Sequence, residues 1–282
     1  MPIEFYQDGD EIRIRQSFIS PTVYLDHWAI RMFSDDLVLQ NRFVNIIKKK
    51  GGTLLLSNFS CSEFAVASDA RHALDAEVFI NRLLPNVFLT DFALDKVLQQ
   101  EIAEPDNLKR FWPSADLPQL KFFAERAYKG SKEFTTLQGF FSLAHLHDTE
   151  INSAKSDYVA MIKKNILELK LNQSYIDKAR STQPNNKRPR TLIIMGELMR
   201  GFILDNAAPI LENDIIDMTH AIISVNCCDY VLLDGAWLSR VENMRHRISK
   251  TGSNMSIAKC FSRKKNGIES FLRDLEEFSH LN

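Results

Sequence analysis

Apolar and polar positions along the chain predict alternating strands and helices. Residues 21–26 form a short apolar run that ends on Asp26, and helical spacing follows as far as Lys50, where two glycines stop the helix. The next run, residues 53–57, is largely apolar, as in a parallel strand buried on both faces. This strand–helix–strand order is typical of βαβ crossovers and predicts a parallel sheet.

A helix after the second strand is predicted from Ser60 onward, because apolar residues recur at three- and four-residue spacing. These residues are Phe64, Ala67, Ala70, Leu74 and Val78. We therefore expect these five side chains to share the face of a helix that packs on the sheet.

The middle of the chain has a helical pattern. Residues 92–207 contain several amphipathic segments separated by prolines and glycines, and the polar stretch 181–190 is the clearest loop. Residues 3–15 alternate apolar and polar around a Gly-containing turn, which predicts a β-hairpin. We therefore expect one domain over residues 1–282, with a helical insertion at 92–207 and an N-terminal hairpin at 3–15.

The α/β pattern resumes after the insertion. A helix is predicted over residues 213–226, followed by an apolar strand over 229–234 that ends on Asp234. A last strand at 256–261 and a last helix at 267–278 complete the chain. The whole pattern predicts an α/β fold around a central parallel sheet.

Composition and charge add few restrictions. The chain is 45% hydrophobic and carries a net charge of −1, which is typical of a folded globular protein and excludes a strongly basic nucleic-acid-binding domain. The sequence lacks a secretory signal and a run of about 18 apolar residues, so we expect a cytoplasmic protein without membrane contact. The four cysteines (Cys61, Cys227, Cys228 and Cys260) lack metal-binding spacing, which favours small buried side chains.

Basic residues are concentrated near the C-terminus. Between positions 240 and 265 there are eight Lys or Arg residues and a single acid, Glu242. Such a segment forms either a solvated helix face or an anion-binding surface. In the second case Arg245, Arg247, Lys264 and Lys265 are the candidates for contacts with nucleic-acid phosphates.

Acidic residues occupy the positions where a parallel sheet binds its ligands. Asp26 and Asp234 close predicted strands, and ligand sites in such sheets lie just beyond the carboxyl ends of the strands. Glu63 follows the second strand in the first helical turn, and Asp217 lies on the helix that leads into Asp234. Asp214, one turn before Asp217, either replaces or joins it, or serves as the N-terminal acid of its own helix.

Carboxylates gathered at one point need a counter-charge, because each raises the pKa of the others. Oxygen ligands select hard cations such as Mg²⁺ or Mn²⁺. Such an ion activates water and polarises a scissile phosphate. The four acids therefore predict a Mg²⁺- or Mn²⁺-dependent enzyme that hydrolyses phosphodiesters.

In these stretches the chain resembles the PIN-like (PilT N-terminus) domain nucleases. The similarity lies in the first strand ending on Asp26, the pair Ser57 and Glu63, the helix acid Asp217 and the strand-end Asp234, in that order. It covers roughly residues 20–90 and 210–262. The sequence departs from the family pattern just before Asp234, where two leucines replace the frequent Thr or Ser, and the helical middle has no counterpart.

The resemblance implies a three-layer PIN-like fold and an endoribonuclease with Asp26, Glu63, Asp217 and Asp234 as catalytic metal ligands. RNA is then a more common substrate than DNA. Toxins and defence effectors are frequent in this family, and homo-oligomers or a regulatory partner protein are compatible with it.

Other interpretations of these residues remain open. Asp26 and Asp234 are also suited to capping helices, and a non-catalytic nucleic-acid- or protein-binding module on the same fold is the alternative function. His220, one turn after Asp217, either orients a carboxylate or packs in the core. A zinc site at His145 and His147 is disfavoured, because residues two apart on a helix point in different directions.

Overall fold

The computed structural model describes residues 3–9, 11–65, 69–91, 93–103, 112–122, 139–184, 188–204 and 210–279. Its strands form an antiparallel hairpin and a five-stranded parallel sheet, so the predicted α/β class, the parallel sheet and the N-terminal hairpin are confirmed. The hairpin consists of β1 (Ile3–Asp8) and β2 (Glu11–Gln16). The sheet strands are β3 (Thr22–Leu25), β4 (Thr53–Ser57), β5 (Val87–Thr90), β6 (Tyr230–Leu232) and β7 (Lys259–Phe261).

Helices connect and cover the strands. Those before the insertion are α1 (His27–Asp35), α2 (Leu37–Lys50), α3 (Asn58–Ala65) and α4 (Ala70–Leu83). Those within residues 92–207 are α5 (Leu94–Ala103), α6 (Ser142–Leu146), α7 (Asp148–Leu171), α8 (Gln173–Ser181) and α9 (Arg190–Leu204). The last three are α10 (Glu212–Cys227), α11 (Gly235–Ser249) and α12 (Gly267–Glu277). No described helix is both long enough and apolar enough to cross a bilayer.

The strand order places a topological switch point at the centre of the sheet. The order is β5-β4-β3-β6-β7, so the chain moves outward from β3 in one direction and later returns to pair β6 with the other side of β3. Connections then leave β3 and β6 toward opposite faces of the sheet, which opens a crevice at their carboxyl ends. Asp26 and Asp234 follow these two strands.

Alternate strand residues enter two separate cores. Val23 and Leu25 belong to the core shared with α1, α2, α4 and α12, whereas Tyr24 belongs to the core shared with α9, α10 and α11. This alternation follows from the two-residue period of a strand. The sheet is therefore covered by helices on both faces.

The predicted helix up to Lys50 is interrupted at Asp36. The Asp36 backbone N–H bonds to the Met32 carbonyl and ends α1, while the Asp36 side chain accepts hydrogen bonds from the N–H groups of Val38 and Leu39. An N-capping aspartate thus starts a second helix, whereas apolar spacing alone predicted a single helix over this stretch.

The predicted face of the helix after β4 is wrong. Leu74 and Val78 are 51% and 59% exposed, and Ala70 is exposed as well. Asp69 caps a new helix by accepting a hydrogen bond from the N–H of Arg71, so the register on α3 does not continue onto α4. The buried face of α4 instead consists of Ala73, Ala76, Glu77, Phe79, Ile80 and Leu83, and Ala67 lies outside the described residues.

Strand β5 was not predicted, and it forms one edge of the sheet. The side-chain amide of Gln16 pairs with this edge as a strand would, because its Nε2 donates to the Leu89 carbonyl at 3.1 Å and its Oε1 accepts from the Leu89 N–H at 2.7 Å. An isolated antiparallel bridge joins Thr90 to Ala115 just beyond it. The predicted hairpin therefore ends in a direct contact with the sheet.

Candidate metal centre

Asp26 is fixed at the junction of β3 and α1. Its backbone N–H bonds to the Leu232 carbonyl at 3.1 Å, which holds it against the end of β6, and its Oδ1 accepts from the N–H of His27 at 2.9 Å. The residue is 8% exposed. Asp26 is therefore a helix cap, as one interpretation of the sequence held, and it also lies at the switch point.

Asp234 occupies the equivalent position after β6. Its Oδ1 accepts a hydrogen bond from the N–H of Trp237 at 2.7 Å and caps α11. A carboxylate has two oxygens and about four acceptor positions. Capping by Asp26 and Asp234 is therefore compatible with metal binding by the same side chains.

Glu63 enters the crevice from α3. Atoms of Asp26, Glu63 and His220 that can ligate a metal lie within 4.8 Å of one another. The Glu63 side chain is 18% exposed, and its Oε2 is buried without a hydrogen-bond partner among the described residues. A buried acceptor in this state is costly unless something outside the described chain satisfies it.

Asp217 faces the same group from α10. Its Oδ2 accepts a hydrogen bond from the indole Nε1 of Trp237 at 3.2 Å, and the charges of Asp26 and Asp234 act on its pKa. Asp214 instead accepts a hydrogen bond from the N–H of Leu211 at 3.0 Å and so caps α10. The structure therefore gives Asp214 the capping role and Asp217 the position facing the other acids.

The acids of this group resist ionisation. Burial raises the pKa of Asp217 to about 8, and the charges of Asp26 and Asp234 add to that effect. Burial, together with the charge of Asp234, raises the pKa of Asp26 to about 6, although backbone hydrogen bonds oppose the shift. The pKa of Glu63 is also raised well above its usual value, first by burial and then by Asp26 and Asp217. Each carboxylate thus lacks sufficient positive charge from the protein itself.

His220 belongs to this group, although packing in the core was the preferred sequence interpretation. Its Nδ1 lies 2.6 Å from the Tyr24 hydroxyl and 4.0 Å from Glu63 Oε2. Burial lowers the pKa of His220 to about 3, so its imidazole is neutral at pH 7. Its position one turn after Asp217 was the available sequence signal, and the structure shows that both lie near Glu63.

The helical insertion packs directly against the centre through α7. The Tyr158 hydroxyl lies 3.0 Å from Thr219 Oγ1, and the Tyr158 ring contacts Phe59 with centroids 5.3 Å apart. Phe59 in turn packs edge-on against His220. Lys155, one turn before Tyr158, favours the charged form of Glu63 by lowering its pKa, against the larger effect of burial. Residues of the insertion therefore contribute to the environment of the acids.

The four predicted phosphate-binding residues lie in two different settings. Arg245 donates to the Ala258 carbonyl at 2.6 Å, and Arg247 donates to Glu197 at 2.6 Å and to the Thr182 carbonyl at 2.9 Å. Both guanidinium groups thus connect parts of the fold, which weakens the case for phosphate contacts by these two residues.

Lys264 and Lys265 lie in the exposed loop after β7. The end of the Lys264 side chain approaches Gly235, the first residue of α11, so closely that a methyl group there would lie 3.3 Å from its Cε. Lys265 adopts a left-handed backbone conformation with φ of 54°. Lys264 thus lies beside the first residue of α11, which follows Asp234 in the sequence.

His145, His147 and the four cysteines do not form a metal site in the part of the chain that the structure describes. Within the described residues, the Asp26, Glu63 and His220 group is the only one of three or more potential ligands that meets at one point. His145 Nδ1 lies 3.2 Å from the Ala65 carbonyl. Three of the cysteines are buried, Cys260 is partly exposed, and no disulfide joins any of these four described residues.

The chain was compared with protein-family models, curated proteins and solved structures, and none of them matches it. The interpretation of the centre therefore rests on its own residues and geometry.

Proposed function

We propose that the protein is a Mg²⁺- or Mn²⁺-dependent nuclease whose metal centre consists of Asp26, Glu63, Asp217 and Asp234. The observation that carries this proposal is that Asp26, Glu63 and His220 place potential ligand atoms within 4.8 Å of one another at the switch point of a parallel sheet. Asp217 and Asp234 lie outside this group, but the charge of Asp217 adds to the effect of burial in raising the pKa of Glu63, and the charge of Asp234 does the same for Asp26. A divalent cation would supply the counter-charge that the described residues lack.

The donor atoms fit a hard cation. Three of the four acids come from different connections of the sheet and one from α10, so the fold and not a single flexible loop sets their positions. The buried Glu63 Oε2, which has no hydrogen bond among the described residues, is a ready ligand atom. Neutral His220 would either add a nitrogen ligand or orient Glu63, as histidines near metal carboxylates do.

Several side chains around the centre would prepare it for this reaction. Asp26 and Asp234 are held by helix caps, and the Trp237 indole holds Asp217, so the ligands are oriented before substrate binds. Lys264, beside the start of α11, is placed to attract a phosphate of the substrate. A bound cation would supply an activated water and polarise the scissile phosphate.

The finer points of the proposal rest on the resemblance to PIN-like nucleases. Endonucleolytic cleavage, RNA rather than DNA as the substrate, and a role as a toxin or defence effector are proposed on that ground alone. A homo-oligomer and a regulatory partner protein are proposed on the same resemblance, whereas a location in the cytoplasm is proposed from the sequence pattern.

Cleavage of single-stranded RNA with and without Mn²⁺ tests the function. We expect wild-type cleavage to require Mn²⁺ and Asp26→Asn to lower its rate more than about 100-fold, since loss of a ligand should exceed the effect of losing a residue that only orients one. Asp157→Asn, an exposed acid on α7, is the matched control and should cleave at the wild-type rate. Equal rates for Asp26→Asn and the control would exclude this metal centre.

A further inference from the structure

A cavity of about 580 Å³ lies beside Asp26, between α1 and the loop after β7. This volume is within the usual range for sites that bind small organic groups. The side chains that matter for its chemistry are His27, Trp28, Arg31, Asp35, Asp36 and Arg263. The carboxylate centre and this cavity are therefore neighbours, because His27 directly follows Asp26.

One wall of the cavity combines an aromatic ring with a guanidinium group. The Arg263 guanidinium carbon lies 5.0 Å from the centroid of the Trp28 ring, within the range of a cation–π contact. Trp28 is half-buried and packs against the core, so its ring has a fixed position, whereas Arg263 is exposed. Aromatic rings and guanidinium planes, such as the Arg263 group that lies over the Trp28 ring, are common surfaces for stacking nucleobases.

The remaining polar groups supply both hydrogen-bond donors and acceptors. Arg31 donates from one side, and its Nη2 lies 2.7 Å from His72 Nε2. Asp35 and Asp36 add carboxylates, although Asp36 also caps α2. Two carboxylates disfavour a bare phosphate, and two guanidinium groups disfavour an apolar ligand. A flat ring with donors and acceptors on its edge satisfies all of these groups.

We infer that this cavity binds one unpaired nucleobase of the substrate, next to the phosphate held at the carboxylate centre. The inference deepens the proposed nuclease function and rests on it. A base paired in a duplex cannot enter such a cavity, because its ring faces and edges are already occupied. The protein therefore acts on single strands, and the nucleotide beside the cleaved bond contributes more to binding than the others do.

Binding of oligonucleotides in which one base is removed at a time tests this inference. The probe is a labelled 12-nucleotide RNA with an abasic site at each position in turn, and affinity is measured by fluorescence anisotropy. The protein is Asp217→Asn, which is expected not to cleave and leaves Asp26 beside the cavity unchanged. We expect one abasic position to lower affinity about tenfold, in line with the loss of one stacked base.

Variants of the cavity decide whether that position is the base in contact with Trp28. In Trp28→Ala, and in the exposed-site variant Arg263→Gln, removal of the base at that position should lower RNA affinity by less than about twofold. The matched controls Trp112→Ala and Arg273→Gln alter exposed residues elsewhere and should retain the tenfold loss.

Two outcomes would overturn the inference: an equal loss at every abasic position, or a position-specific loss that persists in both cavity variants. Failure of the nuclease proposal is separate, because it appears as absent Mn²⁺-dependent cleavage by the wild type. A tenfold position-specific loss of affinity without such cleavage would support base binding by the cavity and contradict the nuclease proposal.

Discussion

Two sets of buried acids in this protein differ in what satisfies them. Glu77 on α4 and Glu101 on α5 are 6% and 5% exposed, and each accepts backbone hydrogen bonds. Glu77 receives the N–H groups of Gly139, Phe141 and Ser142 as well as the Ser142 hydroxyl, and Glu101 receives the N–H of Thr191. Glu77 thus joins the insertion to the rest of the fold, and Glu101 joins two helices within the insertion.

The acids at the switch point have a different environment. Glu63 Oε2 has no hydrogen bond among the described residues, and Asp26, Glu63 and Asp217 repel one another. Burial alone therefore does not identify a functional acid. The difference is whether the chain itself supplies the donors, because an acid left without them is either protonated or needs a ligand that provides positive charge.

Replacing Glu by Gln should destabilise the protein in the first set and not in the second, and this is the largest effect that we expect. Glu77→Gln replaces an acceptor with an amide that cannot accept all of these bonds, so we expect a loss of about 3 kcal/mol, or about 5–10 °C in Tm. Glu63→Gln removes repulsion and should leave the Tm of the metal-free protein at pH 8 unchanged or higher. Thermal unfolding in EDTA measures both, and a comparable loss for both variants would remove the distinction.

A second prediction concerns pH. Folding raises the pKa of Asp217 from 3.8 to about 8, so the folded state binds this proton more tightly than the unfolded chain does. The resulting stabilisation is complete at low pH and is lost as pH rises toward 8. In EDTA, Asp217→Asn should therefore gain about 2 kcal/mol over the wild type, or about 4 °C in Tm, between pH 6 and pH 8.

Mn²⁺ should reverse this dependence in the wild type, because the metal binds the deprotonated acids. The increase in Tm caused by Mn²⁺ should grow from pH 5 to pH 8, and Asp217→Asn should lose most of it. A Tm difference between the two proteins that stays constant with pH would contradict the raised pKa of Asp217.

The smallest expected effect separates two groups of basic residues. Lys264→Gln should lower the slope of log affinity against log salt for single-stranded RNA by about 0.7, as expected for one lost phosphate contact. Arg247→Gln breaks the contacts with Glu197 and the Thr182 carbonyl, so it should lower Tm and leave the slope unchanged. Equal slopes for Lys264→Gln and the wild type would show that Lys264 makes no phosphate contact.

Local patterns were enough to predict the parts of the fold that depend on neighbours in the sequence. Short apolar runs that end on Asp26 and Asp234 indicated strands, and parallel pairing of β3 with β6 then brought their ends together. The positions of the predicted parallel strands and of the last helix followed in the same way.

Features that depend on distant contacts were not predictable. Tyr24 and His220 are 196 residues apart in sequence, and only the packing of α10 on β3 makes them neighbours. The face of α4 was wrong because Asp69 restarts the helix in a different register, a detail that apolar spacing does not contain. Strand β5 begins at Val87, shortly after α4 ends at Leu83, so apolar spacing alone does not separate its residues from the end of that helix.

The side chain of Gln16 has a consequence for how the protein behaves in a crowded solution. An open edge strand offers its backbone groups to strands of other molecules and so promotes aggregation. Gln16 occupies both backbone groups of Leu89 on β5 with a primary amide, which cannot extend the sheet any further. The backbone N–H of Asp116 also donates to the Leu89 carbonyl at 3.1 Å, so the hairpin and the segment at Asp116 together close this edge, and we expect them to limit pairing with strands of other molecules.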